Sequence, residues 1–295
     1  MKNGQSVGAL MEGKRGLIMG VANERSIAWG IASSLAAQGA QLAFTYQTEA
    51  LKRRLDPLAH SVGANLVLGC DVEDIASVDA VFDRLGKEWG KLDFVVHAIA
   101  FSDRNQLKGA YADTTRENFV RTMVISCFSF TEVAKRAAEL MDDGGSLLTM
   151  TFGGGSNRVM PNYNVMGVAK AALESSVRYL AADYGPNGIR VNALSAGPMR
   201  TLAGAGIADA RAMFNFHKDH APLRRTPTLE DVGGAALYLL SDLSSCVTGE
   251  IHYVDAGYNI ISTPRPDRLE GAAAYENDVA DEGEGQGRGV GSPAV

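Results

Sequence analysis

The segment Pro161-Asn162-Tyr163-Asn164-Val165-Met166-Gly167-Val168-Ala169-Lys170 sets a phenol and an ammonium seven residues apart. On a helix that turns about 100° per residue, Tyr163 and Lys170 stand within roughly 20° of one face and about 10 Å apart along the axis. One extended cofactor spans that gap, so a hydroxyl donor and a fixed positive charge could act on the same bound molecule. A lone Tyr/Lys pair at this spacing is otherwise ordinary packing. What would make it chemistry is a framework that holds both groups at the mouth of a cofactor site.

The sequence supplies such a framework. Apolar, β-branched runs at 16–21, 41–47, 65–72, 93–100, 146–152, 189–196 and 250–254 alternate with helical patterns at 26–38, 49–60, 75–88, 116–141, 163–184 and 229–242. This alternation predicts an α/β fold: a single Rossmann-type, doubly wound parallel sheet of about seven strands, covered on both faces. In such a sheet ligands settle beyond the carboxyl ends of the strands, where the loop after the first strand opens onto a helix N-terminus. That loop runs from Gly20 to Ser26 and Ile27. Gly20 serves the turn, Ser26 can cap the helix or donate to a phosphate, and the following backbone N–H groups favour an anion. The common G-x-G-x-x-G fingerprint is absent.

The end of the second strand selects the adenosine ribose, since an acid there bonds a 2′-hydroxyl and a nearby Arg suits a 2′-phosphate. Gln47 stands at that place and offers no charge to a phosphate, which favours NADH over NADPH, although Lys52, Arg53 and Arg54 follow closely. Asp71 is placed to accept from an adenine amine and Val72 to pack on the ring, while a solvated loop aspartate is the plain alternative. In His97-Ala98-Ile99-Ala100 small residues allow close backbone approach to a nicotinamide ribose. Ile99 is equally readable as core.

Composition excludes several classes. The 295 residues carry a formal charge of −6, with 46% hydrophobic and 21% charged residues, which suits a globular protein with a large core and no nucleic-acid partner. Cys70, Cys127 and Cys246 lie far apart without a C-x-x-C pair, and this suggests reduced thiols in a cytoplasmic protein. Neither a membrane-length apolar run nor a secretory signal is visible, so no membrane association is expected. Residues 1–12 read as a flexible N-terminus and 13–262 as one folded domain. Within it 198–226, with Leu202, Ile207, Met213, Phe214 and Phe216 among Gly and Ala, reads as a lid over an apolar substrate or, alternatively, as a surface helix with core-facing side chains. Residues 263–295 read as a disordered acidic tail rich in Gly and Ala.

The pieces now named, with Ala43-Phe44-Thr45-Tyr46-Gln47, Cys70-Asp71-Val72, Arg190-Val191-Asn192-Ala193, Ser195-Ala196-Gly197-Pro198, Arg200-Thr201-Leu202 and Glu230-Asp231-Val232-Gly233, resemble the short-chain dehydrogenase/reductase superfamily. Within it they resemble the divergent group with a Tyr-to-Lys spacing of seven, the bacterial NADH-dependent enoyl-acyl-carrier-protein reductases of type II fatty acid synthesis. The resemblance implies hydride transfer from NADH to the β-carbon of a trans-2-enoyl thioester and protonation at the α-carbon. It implies that Tyr163 stabilises the enolate oxygen and that Lys170 holds the nicotinamide ribose. It places Thr201 at the pyrophosphate or carboxamide, with Met199 and Ala203 alongside, and Ser102, after Phe101, at a substrate contact. It also implies an acyl carrier protein as partner and a homotetramer.

One departure stands out. The family has a second tyrosine at the end of the fifth strand, where this chain has Phe152, followed by Gly153-Gly154-Gly155 with one residue inserted. The missing hydroxyl would alter either protonation or the acyl pocket. Alternative readings are a ketoreductase or alcohol dehydrogenase of the same superfamily, and a non-catalytic NAD-binding regulator. His217 and His220 have the spacing of helical metal ligands but lack a third ligand, so no metal is expected. Arg200, Arg211, Lys218, Arg224 and Arg225 make a basic island on which an acidic carrier protein could dock, or simply a solvated charged face.

Overall fold

The computed structural model describes residues 10–201 and 210–265. Its strands are β1 (Arg15–Met19), β2 (Gln41–Tyr46), β3 (Leu66–Gly69), β4 (Phe94–His97), β5 (Gly145–Thr151), β6 (Ile189–Ala196) and β7 (Ile251–Val254). They form one sheet in the order β3-β2-β1-β4-β5-β6-β7, every pairing parallel. The order reverses between β1 and β4, and the crevice above this switch is where a dinucleotide binds in folds of this class. The doubly wound sheet expected from the sequence is therefore present.

Strands buried on both faces must be apolar on both, which is why they read as continuous runs. Leu17 and Met19 of β1 face one core with Phe130, Leu147 and Leu173, whereas Ile18 faces another with Phe44, Phe94 and Leu148. Burying each such aromatic or large aliphatic side chain contributes about 1.5–3 kcal/mol. The first core is covered by α3 (Ile75–Trp89), α4 (Arg116–Met123), α5 (Ser129–Ala138) and α7 (Val165–Tyr184). The second is covered by α1 (Ile27–Ala36), α2 (Glu49–Ser61) and α9 (Leu229–Leu240). Met11 is fully buried in the second core, so the packed structure reaches back into the stretch expected to be a flexible N-terminus.

Helix ends follow local chemistry. Thr48 accepts from Leu51 N at α2, Asp74 from Ala76 N at α3, and Thr228 and Asp231 form a reciprocal capping box at α9. The single helix expected over 116–141 is divided: α4 and α5 are joined by a π-helical turn, Val124–Phe128. One added residue per turn does not disturb apolar periodicity enough to be read from sequence, and such turns recur at functional sites. Two further elements flank the crevice, the single turn α6 (Gly153–Ser156) and α8 (Ala210–His220). Of the residues singled out above, the lid's Leu202 and Ile207 and the expected cofactor contact Ala203 lie outside the described residues, as does the tail from residue 266.

Candidate active site

Tyr163 does not stand on the helix. α7 begins at Val165, and Tyr163 sits in the turn before it, between Asn162 at φ 59° and Asn164 at φ 37°. Asparagine tolerates this left-handed backbone better than other side-chain-bearing residues, and here it rolls the chain so that Tyr163 O accepts from Met166 N at 2.9 Å. The helical phase argument for the Tyr/Lys pair thus holds for Lys170 alone. Convergence comes instead from β5. The Lys170 ammonium donates to Met150 O at 2.8 Å, and the Tyr163 ring packs against Phe152, the residue following that strand.

Both groups are deeply buried, at 8% exposure for Tyr163 and 6% for Lys170. Burial pushes the ammonium down to about 8, against the opposing pull of the Cys127 thiol and Glu174. Burial, with Glu174 adding to it, holds the phenol far above its usual range, so Tyr163 is a neutral hydroxyl donor. His97, at the end of β4, lies between Thr149 Oγ1 at 3.2 Å and Ser129 Oγ at 3.0 Å. Burial and the nearby Lys170 push it down to about 3, which makes it a neutral structural imidazole.

The turn carrying Phe152 is built for close approach. Phe152 and Tyr163 lie T-shaped, with centroids 5.4 Å apart and planes at 71°. A β-carbon on Gly155 would stand 2.4 Å from the Tyr163 ring, closer than any such contact in real proteins. Sequence reading missed α6 because three glycines carry no helix propensity. Beside it a cavity of about 420 Å³ is lined by Phe152, Met160, Pro161, Pro198, Met213 and Phe216, largely apolar groups under α8. His217 also lines it, and the Nε2 atoms of His217 and His220 are buried without a partner among the described residues. No cluster of three potential metal ligands occurs among the described residues.

The cofactor end is formed by the loop after β1. Gly20 has φ 97°, and a β-carbon there would meet Ala98 O at 2.1 Å, so this position demands glycine. Ser26 departs from its expected cap: its Oγ accepts from Ala22 N at 3.0 Å and Asn23 N at 3.1 Å and makes no side-chain cap bond to α1. With both acceptor positions used, its proton remains to donate, and the first N–H groups of α1, from Ile27 on, follow it. This arrangement fits a pyrophosphate at the switch point. Gln47 Nε2 donates to Asp71 Oδ2 at 3.2 Å, which joins the two expected adenosine contacts into one polar pair.

Other expected contacts are placed differently. Val72 is 7% exposed within the first core, and Ile99 is partly buried against the same cluster, its alternative reading as core. Met199 packs on the second core, and Thr201 N donates back to Met199 O at 2.8 Å. Ser102 is buried and turned inward: Thr122 Oγ1 donates to its hydroxyl at 3.0 Å, and Asn118 Nδ2 at 3.1 Å. The π turn supports this loop, because Ser126 Oγ accepts from Phe101 N at 2.9 Å and donates to Phe101 O at 3.0 Å.

Residues 20–259 match the family described as enoyl-(acyl carrier protein) reductase. The chain is 74% identical over 265 residues to the NADH-dependent enoyl-acyl-carrier-protein reductase 2 of Rhizobium meliloti (strain 1021), covering 90% of this chain and 98% of that one. Among solved structures it resembles FabI from Candidatus Liberibacter asiaticus, with a TM-score of 0.85 and 58% identity over 88% of this chain and all of that one. It also resembles the enoyl-(acyl-carrier-protein) reductase of Anaplasma phagocytophilum in complex with NAD, with a TM-score of 0.85 and 57% identity over 88% of this chain and 98% of that one. With the switch-point loop, the buried Tyr163 and Lys170 and the apolar cavity bounded by Phe152, these matches establish that the chain belongs to the enoyl-(acyl carrier protein) reductase family.

Proposed function

We propose that Tyr163 and Lys170 are the groups with which this chain reduces the trans-2 double bond of an enoyl-acyl-carrier-protein thioester. The observation that carries this reading is their shared burial at the end of β5, beside an apolar cavity and next to the sheet's switch point. NADH, the cofactor of this activity, supplies the hydride when bound. As the β-carbon is reduced, negative charge gathers on the thioester oxygen. A neutral phenol in a water-poor site donates to that oxygen most strongly in the transition state, which lowers the barrier without tightening the ground state.

Lys170 is already held by Met150 O and keeps two further N–H donors for ribose hydroxyls. Gly20, Ser26 and Ile27 hold the pyrophosphate, Gln47 and Asp71 the adenosine, and Met199 and Thr201 the nicotinamide end. Phe152 bounds the acyl site. The phenyl ring contributes shape and no proton, so protonation of the α-carbon falls to water.

The reading extends to a cytoplasmic homotetramer. Val120, Phe128 and Tyr179 are exposed at 54%, 53% and 73% on α4, the π turn and α7, apolar and aromatic groups that a second copy would cover. No described helix is long and apolar enough to cross a membrane. The test follows NADH absorbance with a trans-2-enoyl thioester and then with a β-ketoacyl thioester. Oxidation with the enoyl substrate is expected. Oxidation with the ketoacyl substrate alone would favour a ketoreductase, and NADH binding without turnover of either would favour a regulator.

A further inference from the structure

The turn that presents Phe152 has little stability of its own. Glycine is among the weakest helix formers, and α6 contains three in four residues. Neighbouring groups therefore hold it. Gly153 N donates to Ser195 Oγ at 2.8 Å, Asn157 Nδ2 to Tyr253 Oη at 2.9 Å, and Ser156 Oγ to Glu174 Oε1 at 2.5 Å. The same carboxylate oxygen accepts from Thr151 Oγ1, at the last residue of β5, at 2.6 Å. Glu174 thus ties β5, α6 and α7 together at the point where the chain leaves the sheet for the site.

A buried carboxylate is an expensive clamp. Glu174 is 9% exposed, and removing a charge from water is costly unless hydrogen bonds and opposite charge compensate it. A neutral amide could accept the same two hydroxyl bonds. What the amide would lack is the charge, and the charge reaches the site: Glu174 stands one helical turn beyond Lys170 and acts electrostatically on Lys170, Tyr163 and the Tyr253 of β7. The other groups coupled to Lys170 are the Cys127 thiol of the π turn and the neutral His97 of β4.

We propose that Glu174 is a positioning residue for the reduction: its carboxylate clamps the glycine turn bearing Phe152 onto the end of β5 and supplies the negative charge that balances Lys170. The proposal rests on the roles given above to Tyr163 and Lys170. Second to the Cys127 thiol, the acid favours Lys170 as an ammonium, and it opposes ionisation of Tyr163. Both effects preserve the active protonation state as pH rises.

The test compares the full-length wild type with Glu174→Gln and Ser156→Ala, using NADH and a trans-2-enoyl thioester across the pH range. Glu174→Gln is expected to lose about tenfold in kcat and to keep NADH affinity within about twofold at pH below the limb. Its basic limb should move to lower pH, as expected when an opposite charge acting on an ammonium is lost. Ser156→Ala keeps the charge and loosens the turn, so kcat should fall about threefold with the limb in place. An active wild type whose limb is unmoved in Glu174→Gln overturns this proposal alone, and so does wild-type kcat in Ser156→Ala. If circular dichroism shows Glu174→Gln unfolded, the Ser156→Ala result decides. A wild type inert toward the enoyl thioester overturns the parent reading, and this one with it.

Discussion

Phe152 and Tyr163 meet as a T-shaped aromatic pair, centroids 5.4 Å apart, and the backbone that allows it is Gly155, packed directly beneath the tyrosine ring. The pair makes the direction of the phenol depend on the glycine turn α6. Because hydrogen-bond catalysis falls steeply with misplacement, a shift of about 1 Å in that ring can cost on the order of 100-fold.

Gly155→Ala should therefore act as an active-site mutation. The added methyl would sit 2.4 Å from the Tyr163 ring, and the ring must move. A fall in kcat of about 100-fold, with NADH affinity retained by fluorescence titration, is the expected result. Wild-type kcat would show that the ring accommodates the methyl without losing its aim.

Tyr163→Phe removes the hydroxyl and leaves the packing. Loss of one preorganised donor to a developing oxyanion typically costs about 100- to 1000-fold in kcat. NADH dissociation should change less than about threefold. Equal losses in kcat and cofactor binding would assign the phenol to holding the dinucleotide instead.

The sheet was legible because a parallel strand covered on both faces has to be an unbroken apolar run, and β6 occurs at the predicted residues, Ile189–Ala196. The site was legible only in part. Lys170 follows helical phase, but Tyr163 is aimed by left-handed Asn162 and Asn164, which no periodicity encodes. Glu174 carried one signal, its position four residues after Lys170 on the same helix face. Its partners Thr151 and Ser156 come from β5 and α6, so only tertiary structure reveals the clamp. Val72 and Ile99 were readable both as cofactor contacts and as packing, since a short apolar side chain serves either.

Cofactor choice should respond at Gln47. Its amide donates to Asp71 at 3.2 Å, which sets a carboxylate beside the residue proposed to meet the adenosine ribose. Gln47→Arg would pair with that acid and add a cation near the phosphate. The NADPH:NADH ratio of kcat/KM should rise about tenfold, equivalent to about 1.4 kcal/mol. An unchanged ratio would place selectivity in Lys52, Arg53 and Arg54 instead.

Stability has a separate handle at the start of α9. Thr228 and Asp231 satisfy each other's backbone N–H groups, at 3.2 Å and 2.8 Å, and Arg225 bonds the Asp231 carboxylate. Thr228→Ala should cost about 1 kcal/mol and lower Tm by about 2–4 °C. Arg225 foremost, with backbone and hydroxyl bonds from Thr228, holds Asp231 down to about 2. A depressed carboxylate stabilises the fold above its unfolded value and loses that contribution as pH falls toward about 2. Asp231→Asn should flatten this acid limb of a Tm-against-pH curve, and an identical limb in the variant would locate the acid sensitivity elsewhere.

Lys170 is expected to set the alkaline limit of turnover. Burial brings its ammonium down to about 8, so the side chain is charged at neutral pH and loses its proton as pH rises through that value. The neutral amine keeps its bond to Met150 O and its place in the fold, but it no longer offers a positive charge to the oxyanion or a full set of donors to the ribose. Accordingly kcat/KM for the enoyl thioester should be level below about pH 7 and decline about tenfold per unit well above about 8, with NADH affinity weakening in parallel. Lys170→Arg stays charged throughout, because a guanidinium does not deprotonate in this range, and should abolish the decline at reduced kcat. Lys170→Ala should weaken NADH binding at every pH. A decline that persists unaltered in the arginine variant would assign it to another group and leave Lys170 a structural tie to β5.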